Sequence, residues 1–164
     1  VERIAPATYT AKPDHIPLDD PWSPRLEEAA MAFATALYGP RVPVLYGLGA
    51  ARFHHAIPRA IGVTVVAVPQ QHRPVTLSSG GRVIFTKVDT DGLQARAETG
   101  ELGRFLVTTV EQTLVNLVER PELGGMPHEA AAATRALREM ADRTTLEKLK
   151  TSTRFALALR ELTQ

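Results

Sequence analysis

Residues 61–68, Ile61-Gly62-Val63-Thr64-Val65-Val66-Ala67-Val68, constrain this chain more than any other segment. β-branched side chains are stiff at χ1 and fit the pleated surface of a sheet. The run is nearly all apolar with no alternation, so a strand here carries apolar side chains on both faces and both must be covered. It is also far short of the ~20 apolar residues that a membrane-spanning helix needs. The expected architecture is therefore α+β, a small central β-sheet packed by N-terminal and C-terminal helices. A chain of 164 residues, 44% of them apolar, suits one such domain. Chains of that size hide roughly 70% of the surface their unfolded form exposes, so the core needs no staples. The absence of cysteine removes disulfides, a thiol nucleophile and thiolate metal ligation together.

The flanking patterns supply the covering elements. Residues 1–24 hold five prolines, scattered acids and no apolar period, which predicts an extended arm or linker ahead of a single domain over 25–164. Ser23-Pro24 predicts a helix start. Leu26, Ala29, Ala30, Phe33 and Leu37 then mark one helical face as far as Tyr38, ended by Gly39-Pro40. Val42–Leu45, interrupted by Pro43, predicts an edge strand or a loop, and Gly49–His55 a short helix closing before Pro58. Val75–Leu77 and Arg82–Val88 around Ser78-Ser79-Gly80-Gly81 predict a hairpin, with a further turn at Asp89-Thr90-Asp91-Gly92. Arg104–Thr108 predicts a final strand. Thr108 and Glu111 fit a capping box for a helix that places Val110, Leu114, Leu117 and Val118 on one side and stops at Arg120-Pro121. After a break at Gly124-Gly125, Pro127 predicts the start of an Ala-rich helix over 129–141. Thr144–Glu147 predicts a second capping box for a helix reaching toward Leu162.

Net charge conceals a strong asymmetry. Residues 1–28 carry −3, residues 29–88 carry +6 with no acid at all, and residues 89–164 carry −2. The six bases of the acid-free block are Arg41, Arg52, Arg59, Arg73, Arg82 and Lys87, accompanied by His54, His55 and His72. Such a block gives a positive face attractive to phosphate or to an acidic protein surface, unless its bases pair with the acidic flanks on folding. Arg52 and Arg59, with His54 and His55 between them and Phe53 and Tyr46 close by, form its densest cluster. The candidate partner-binding residues are Arg52, His54, His55, Arg59, Arg73 and Arg82.

Enzymatic signals do not assemble. Gly47-Leu48-Gly49 follows a possible strand, but Arg52 stands where a dinucleotide loop needs Gly or Ala, and no acid occurs before Asp89 to bind a ribose. Adjacent His54 and His55 point ~100° apart on a helix and cannot chelate together. His128-Glu129 lacks the second histidine of a zinc-protease helix, Ala132 standing there instead. Asp89 and Asp91 lie in a turn sequence, and no serine occupies a nucleophile elbow. No catalytic residue, metal or cofactor is expected. The N-terminus lacks a basic start followed by an apolar core, so neither a signal peptide nor a membrane partner is expected, and the expected location is the cytoplasm.

Three strings resemble the antitoxins of the abortive-infection E family (AbiEi-like), from bacterial type IV toxin–antitoxin pairs. They are Leu45-Tyr46-Gly47-Leu48-Gly49-Ala50-Ala51-Arg52-Phe53-His54, then Val63–Pro69, then Val107-Thr108-Thr109-Val110-Glu111-Gln112-Thr113-Leu114-Val115-Asn116-Leu117. The resemblance runs from about Gly39 to the C-terminus. In the last string Gln112 stands for the family's usual Arg and Asn116 for its usual Asp. Family members usually place a winged-helix DNA-binding domain ahead of this region. Here only the proline-rich arm precedes it, so the resemblance implies the toxin-neutralising part without the operator-binding part. It implies a non-catalytic antitoxin whose partner is a nucleotidyltransferase-like toxin; the charge block, and not the resemblance, makes direct contact through the basic face the expectation. The alternative is a nucleic-acid-binding transcriptional regulator of its own operon, using the same bases.

Overall fold

The structure, a computed structural model, describes residues 1–149. Its centre is a mixed sheet, in chain order β3 (Val44–Tyr46), β4 (Val63–Val68), β5 (Val75–Thr76), β6 (Arg82–Lys87), β7 (Ala95–Gly100) and β8 (Gly103–Thr108). Across the sheet the order is β5-β6-β4-β3-β8-β7. β4 runs antiparallel to β3 and parallel to β6, while β8 is parallel to β3. The outer strands β5 and β7 are antiparallel to their neighbours. Helices α1 (Leu26–Tyr38), α2 (Gly47–Phe53), α3 (Val110–Glu119), α4 (Pro127–Met140) and α5 (Arg143–Lys148) complete the described residues, together with a small hairpin of β1 (Glu2–Ala5) and β2 (Thr8–Thr10). The fold is α+β, with the sheet between helical layers.

The pleat explains why β4 lacks alternation. Val63, Val65 and Ala67 point to one side, where they join Val44 and Tyr46 of β3 under α2, α3, α4 and α5, represented by Leu48, Leu114, Leu117, Ala133, Leu137 and Leu146. Val66 and Val68 point to the other, where they meet Leu45, Val83, Phe85 and Val107 beneath Ala30, Met31, Phe33 and Ala34 of α1. Register and face agree, since Leu45 lies opposite both Val66 and Val107. Burying each valine or leucine contributes about 1.5–3 kcal/mol, so two covered faces double what a one-sided strand of this length supplies.

Several elements differ from the sequence reading. Residues 2–10 form a hairpin where the prolines predict an extended arm, because Ile4 and Ala5 are buried against α1 and the Ile4 carbonyl accepts from Ser78 N–H at 2.9 Å. Residues 11–25 hold no helix or strand, and the Lys12 ammonium gathers the Pro17, Leu18 and Asp20 carbonyls. α1 begins at Leu26 with Arg25 at its N-cap, and its Leu37 is 49% exposed, since the last turn packs inward through Ala34 and Tyr38 instead. β3 is a central strand and not an edge or a loop; Pro43 sits just before it, so its missing N–H lies outside the ladder. β7 has no β-branched run to announce it. α3 is capped by Thr109 and not Thr108, and α5 by Asp142 and not Thr144. α5 ends before Leu149, and its predicted continuation toward Leu162 lies outside the described residues.

Candidate functional site

The densest part of the basic block is built on the β3–α2 junction. Gly47, at φ 56°, turns the chain from strand into helix with no intervening loop, a left-handed conformation that favours glycine. Gly49 lets α2 lie directly on β4, because a Cβ there would fall 2.3 Å from Thr64 Oγ1 and 2.6 Å from Leu45 Cδ1. The Gly-x-Gly signal is thus a packing device. α2 then ends at His54, and His55, at φ 63°, reverses the chain into the loop before β4.

This exit forms a cleft of about 680 Å³ with the first turn of α1, β8 and the end of α4. Arg52, His54 and His55 line it, together with Arg25, Glu27, Glu28, the apolar Phe53, Ile57 and Phe105, and Met140. Arg52 organises its floor: Nε lies 3.3 Å from Glu27 Oε1, and the guanidinium donates to the Ile57 and Arg59 carbonyls. His54 Nε2 lies 2.7 Å from the Thr108 carbonyl, so the ring donates from that nitrogen. The Phe53 ring meets His54 edge-on at 5.3 Å and Phe105 edge-on at 5.8 Å, fixing the apolar wall. Burial raises the Glu28 carboxyl above its ordinary value of 4.5, against the opposing backbone N–H of Glu101.

The six predicted partner-binding residues do not form one face. Arg52, His54 and His55 meet at the cleft, and Arg59 lies beside it, paired with Glu129 at the start of α4. Arg73 and Arg82 are exposed by the β5–β6 edge and line no part of the cleft. The acidic flanks therefore neutralise two of the block's arginines, Glu27 from one side and Glu129 from the other. Arg73, Arg82 and Lys87 make no ion pair among the described residues. His72 is held by ring contacts with Phe33 and Phe85 at 6.2 and 5.0 Å.

Sequence reasoning missed Glu27, Glu28, Arg25, Phe105 and Met140 as members of this site. Acids in the first turn of α1 were a visible signal, but of helix-dipole stabilisation and not of an arginine partner. Glu111, read as a cap for its own helix, accepts from Asp142 N–H at 2.8 Å and so ties α3 to the start of α5. Thr109 caps α3 by accepting from Gln112 N–H at 3.2 Å; Gln112 Oε1 in turn accepts from Gln94 N–H at 3.1 Å. Gln112 and Asn116 are both buried, where a neutral amide is cheaper to desolvate than a charged side chain.

Among the described residues no three His, Asp or Glu side chains are placed to hold a metal ion, and no helix is long and apolar enough to cross a membrane. The cleft offers a hydrogen-bonded arginine–carboxylate floor, an aromatic wall and an exposed rim of His55, Arg25 and Arg59. That combination suits recognition of another molecule's polar and apolar groups together. Neither the models of known protein families nor the curated proteins give a match to this chain.

Proposed function

We propose that this protein is a non-catalytic antitoxin of the AbiEi-like kind, acting in the cytoplasm, which counteracts a nucleotidyltransferase-like toxin by direct contact at the rim of the α2 cleft. The observation that carries this reading is the convergence of the three resembling strings on one unit. β3–α2 lies between β4 and β8–α3, Leu45 is in register with both Val66 and Val107, and His54 is tied to the Thr108 carbonyl. Strings far apart in sequence thus share one packed centre, as the resemblance requires. A nucleotidyltransferase gathers carboxylates around its metal ions; the exposed Arg25 and His55 offer donors to such an acidic mouth, and Arg59 would exchange its Glu129 partner for it.

The test is co-expression with the neighbouring open reading frame, scoring toxicity and rescue of growth and then co-purification. Arg52 is a poor probe because it holds Glu27 and the loop carbonyls in place. His55→Asp with Arg59→Glu is the better one, since Asp tolerates the left-handed backbone. Loss of rescue and of the complex in that variant supports the rim; full rescue refutes it.

A second reading rests on Arg73, Arg82 and Lys87, exposed and without ion pairs among the described residues. A nucleic-acid-binding regulator would use this edge. It requires binding whose log affinity falls linearly with log salt, and a shallower slope in Arg73→Glu/Arg82→Glu.

A further inference from the structure

The two edges of the sheet are treated differently. At one edge β5 is only two residues long, and the rest of β6 is covered by Gln71, whose amide donates to the Phe85 carbonyl at 2.8 Å and accepts from Lys87 N–H at 3.1 Å. At the other edge β7 pairs with β8 over its full length, and among the described residues nothing pairs with its outer side; it has no proline or bulge, and its charged side chains are Arg96 and Glu98.

The direction of its backbone groups follows from the ladder. Thr109 N–H donates to the Gln94 carbonyl at 3.0 Å, in the register that sets Ala95 opposite Thr108. Hydrogen-bonded and non-bonded pairs alternate in an antiparallel ladder. Arg96, Glu98 and Gly100 therefore turn their N–H and C=O groups toward β8, and Ala95, Ala97 and Thr99 turn theirs outward. The Thr108 carbonyl, engaged by His54, agrees with this phase.

We propose that this open edge is a self-association surface, on which β7 of a second copy of the chain adds antiparallel across a twofold axis at Ala97. An antiparallel partner sets outward-facing residues against outward-facing residues. An axis at Arg96 opposes Arg96 to its own copy, and an axis at Glu98 opposes two glutamates. The axis at Ala97 sets Arg96 across from Glu98 of the partner subunit, twice, and Ala95 across from Thr99 of the partner subunit. It also brings all three outward residues of each strand into play, for about six new backbone hydrogen bonds. Arg96 and Glu98 share one face of the strand, and Ala95, Ala97 and Thr99 on the other are small enough to leave the approach open.

The test is sedimentation velocity on the full 164-residue chain across the micromolar range. The wild type is expected to dimerise reversibly. Arg96→Glu and Glu98→Arg each replace two attractive cross-strand pairs by repulsive ones, weakening association by at least about tenfold. The double variant Arg96→Glu/Glu98→Arg restores the complementarity and is expected to dimerise like the wild type. Circular dichroism checks that each variant is folded. A wild type that stays monomeric overturns the proposal, as does a dimer indifferent to Arg96→Glu or a double variant no tighter than the singles.

Discussion

Replacing Arg52 by Met tests how the cleft floor is held. Methionine keeps most of the apolar stem but removes the guanidinium, which faces Glu27 at 3.3 Å and donates to the carbonyls of Ile57 and Arg59. Glu27 is only 9% exposed, so its carboxylate has little water to turn to. Stripping the partner from a fully buried ion pair costs about 3–5 kcal/mol. The Arg52 side chain is 25% exposed, which lowers the electrostatic part, while the buried Ile57 carbonyl adds about 1 kcal/mol for its lost donor. The expected cost is therefore about 3 kcal/mol, or a fall in Tm of roughly 6–12 °C for a chain this long. Adding Glu27→Gln to Arg52→Met neutralises the stranded carboxylate and should recover about 1–2 kcal/mol, read from urea unfolding as a double-mutant cycle. A single variant costing under about 0.5 kcal/mol, or strictly additive effects, would refute the account of Arg52 as the buried tie between α1 and the α2 exit.

Two other perturbations probe separate parts of the argument. Gly49→Ala ought to help helix α2 by about 1 kcal/mol on propensity alone, yet its Cβ would press on Thr64 Oγ1, Leu45 Cδ1 and the Val65 carbonyl. Overpacking costs of about 1–3 kcal/mol should make it net destabilising by chemical denaturation, and a stabilised variant would contradict the close approach of α2 to β4. Glu28, whose carboxyl burial raises above 4.5, binds its proton more tightly folded than unfolded. Stability from this group is present at low pH and declines as pH rises from 4.5 through the folded value. Glu28→Gln should flatten that limb of the stability–pH curve while keeping an acceptor for Glu101 N–H; an unchanged limb would remove the assignment.

Much of the fold was legible because local patterns matched what packing required. The valine run of β4 announced a strand covered on both sides, and α1, the β5–β6 hairpin, β8, α3 and α4 all lie near their expected positions. β3 was misjudged because Pro43 weakens a short strand locally, whereas its central place comes from β4 and β8 pairing on either side. β7 was missed because Ala-Arg-Ala-Glu-Thr-Gly has no intrinsic strand preference and forms through its hairpin with β8. The capping positions slipped because hydroxyl spacing alone does not distinguish Thr108 from Thr109; the buried bond between Thr108 and Thr113 hydroxyls, 2.7 Å long, assigns the former to the core.

The candidate site divides along the same line. The sequence by itself determined that six bases without an acid occupy residues 29–88, and that two acidic flanks could balance them. Only the tertiary structure decided which pairs form: Arg52 with Glu27, Arg59 with Glu129, and Arg73 and Arg82 left on another edge. The physical reason is that charge composition is additive along a chain, whereas pairing depends on distances set by non-local strand order and helix packing.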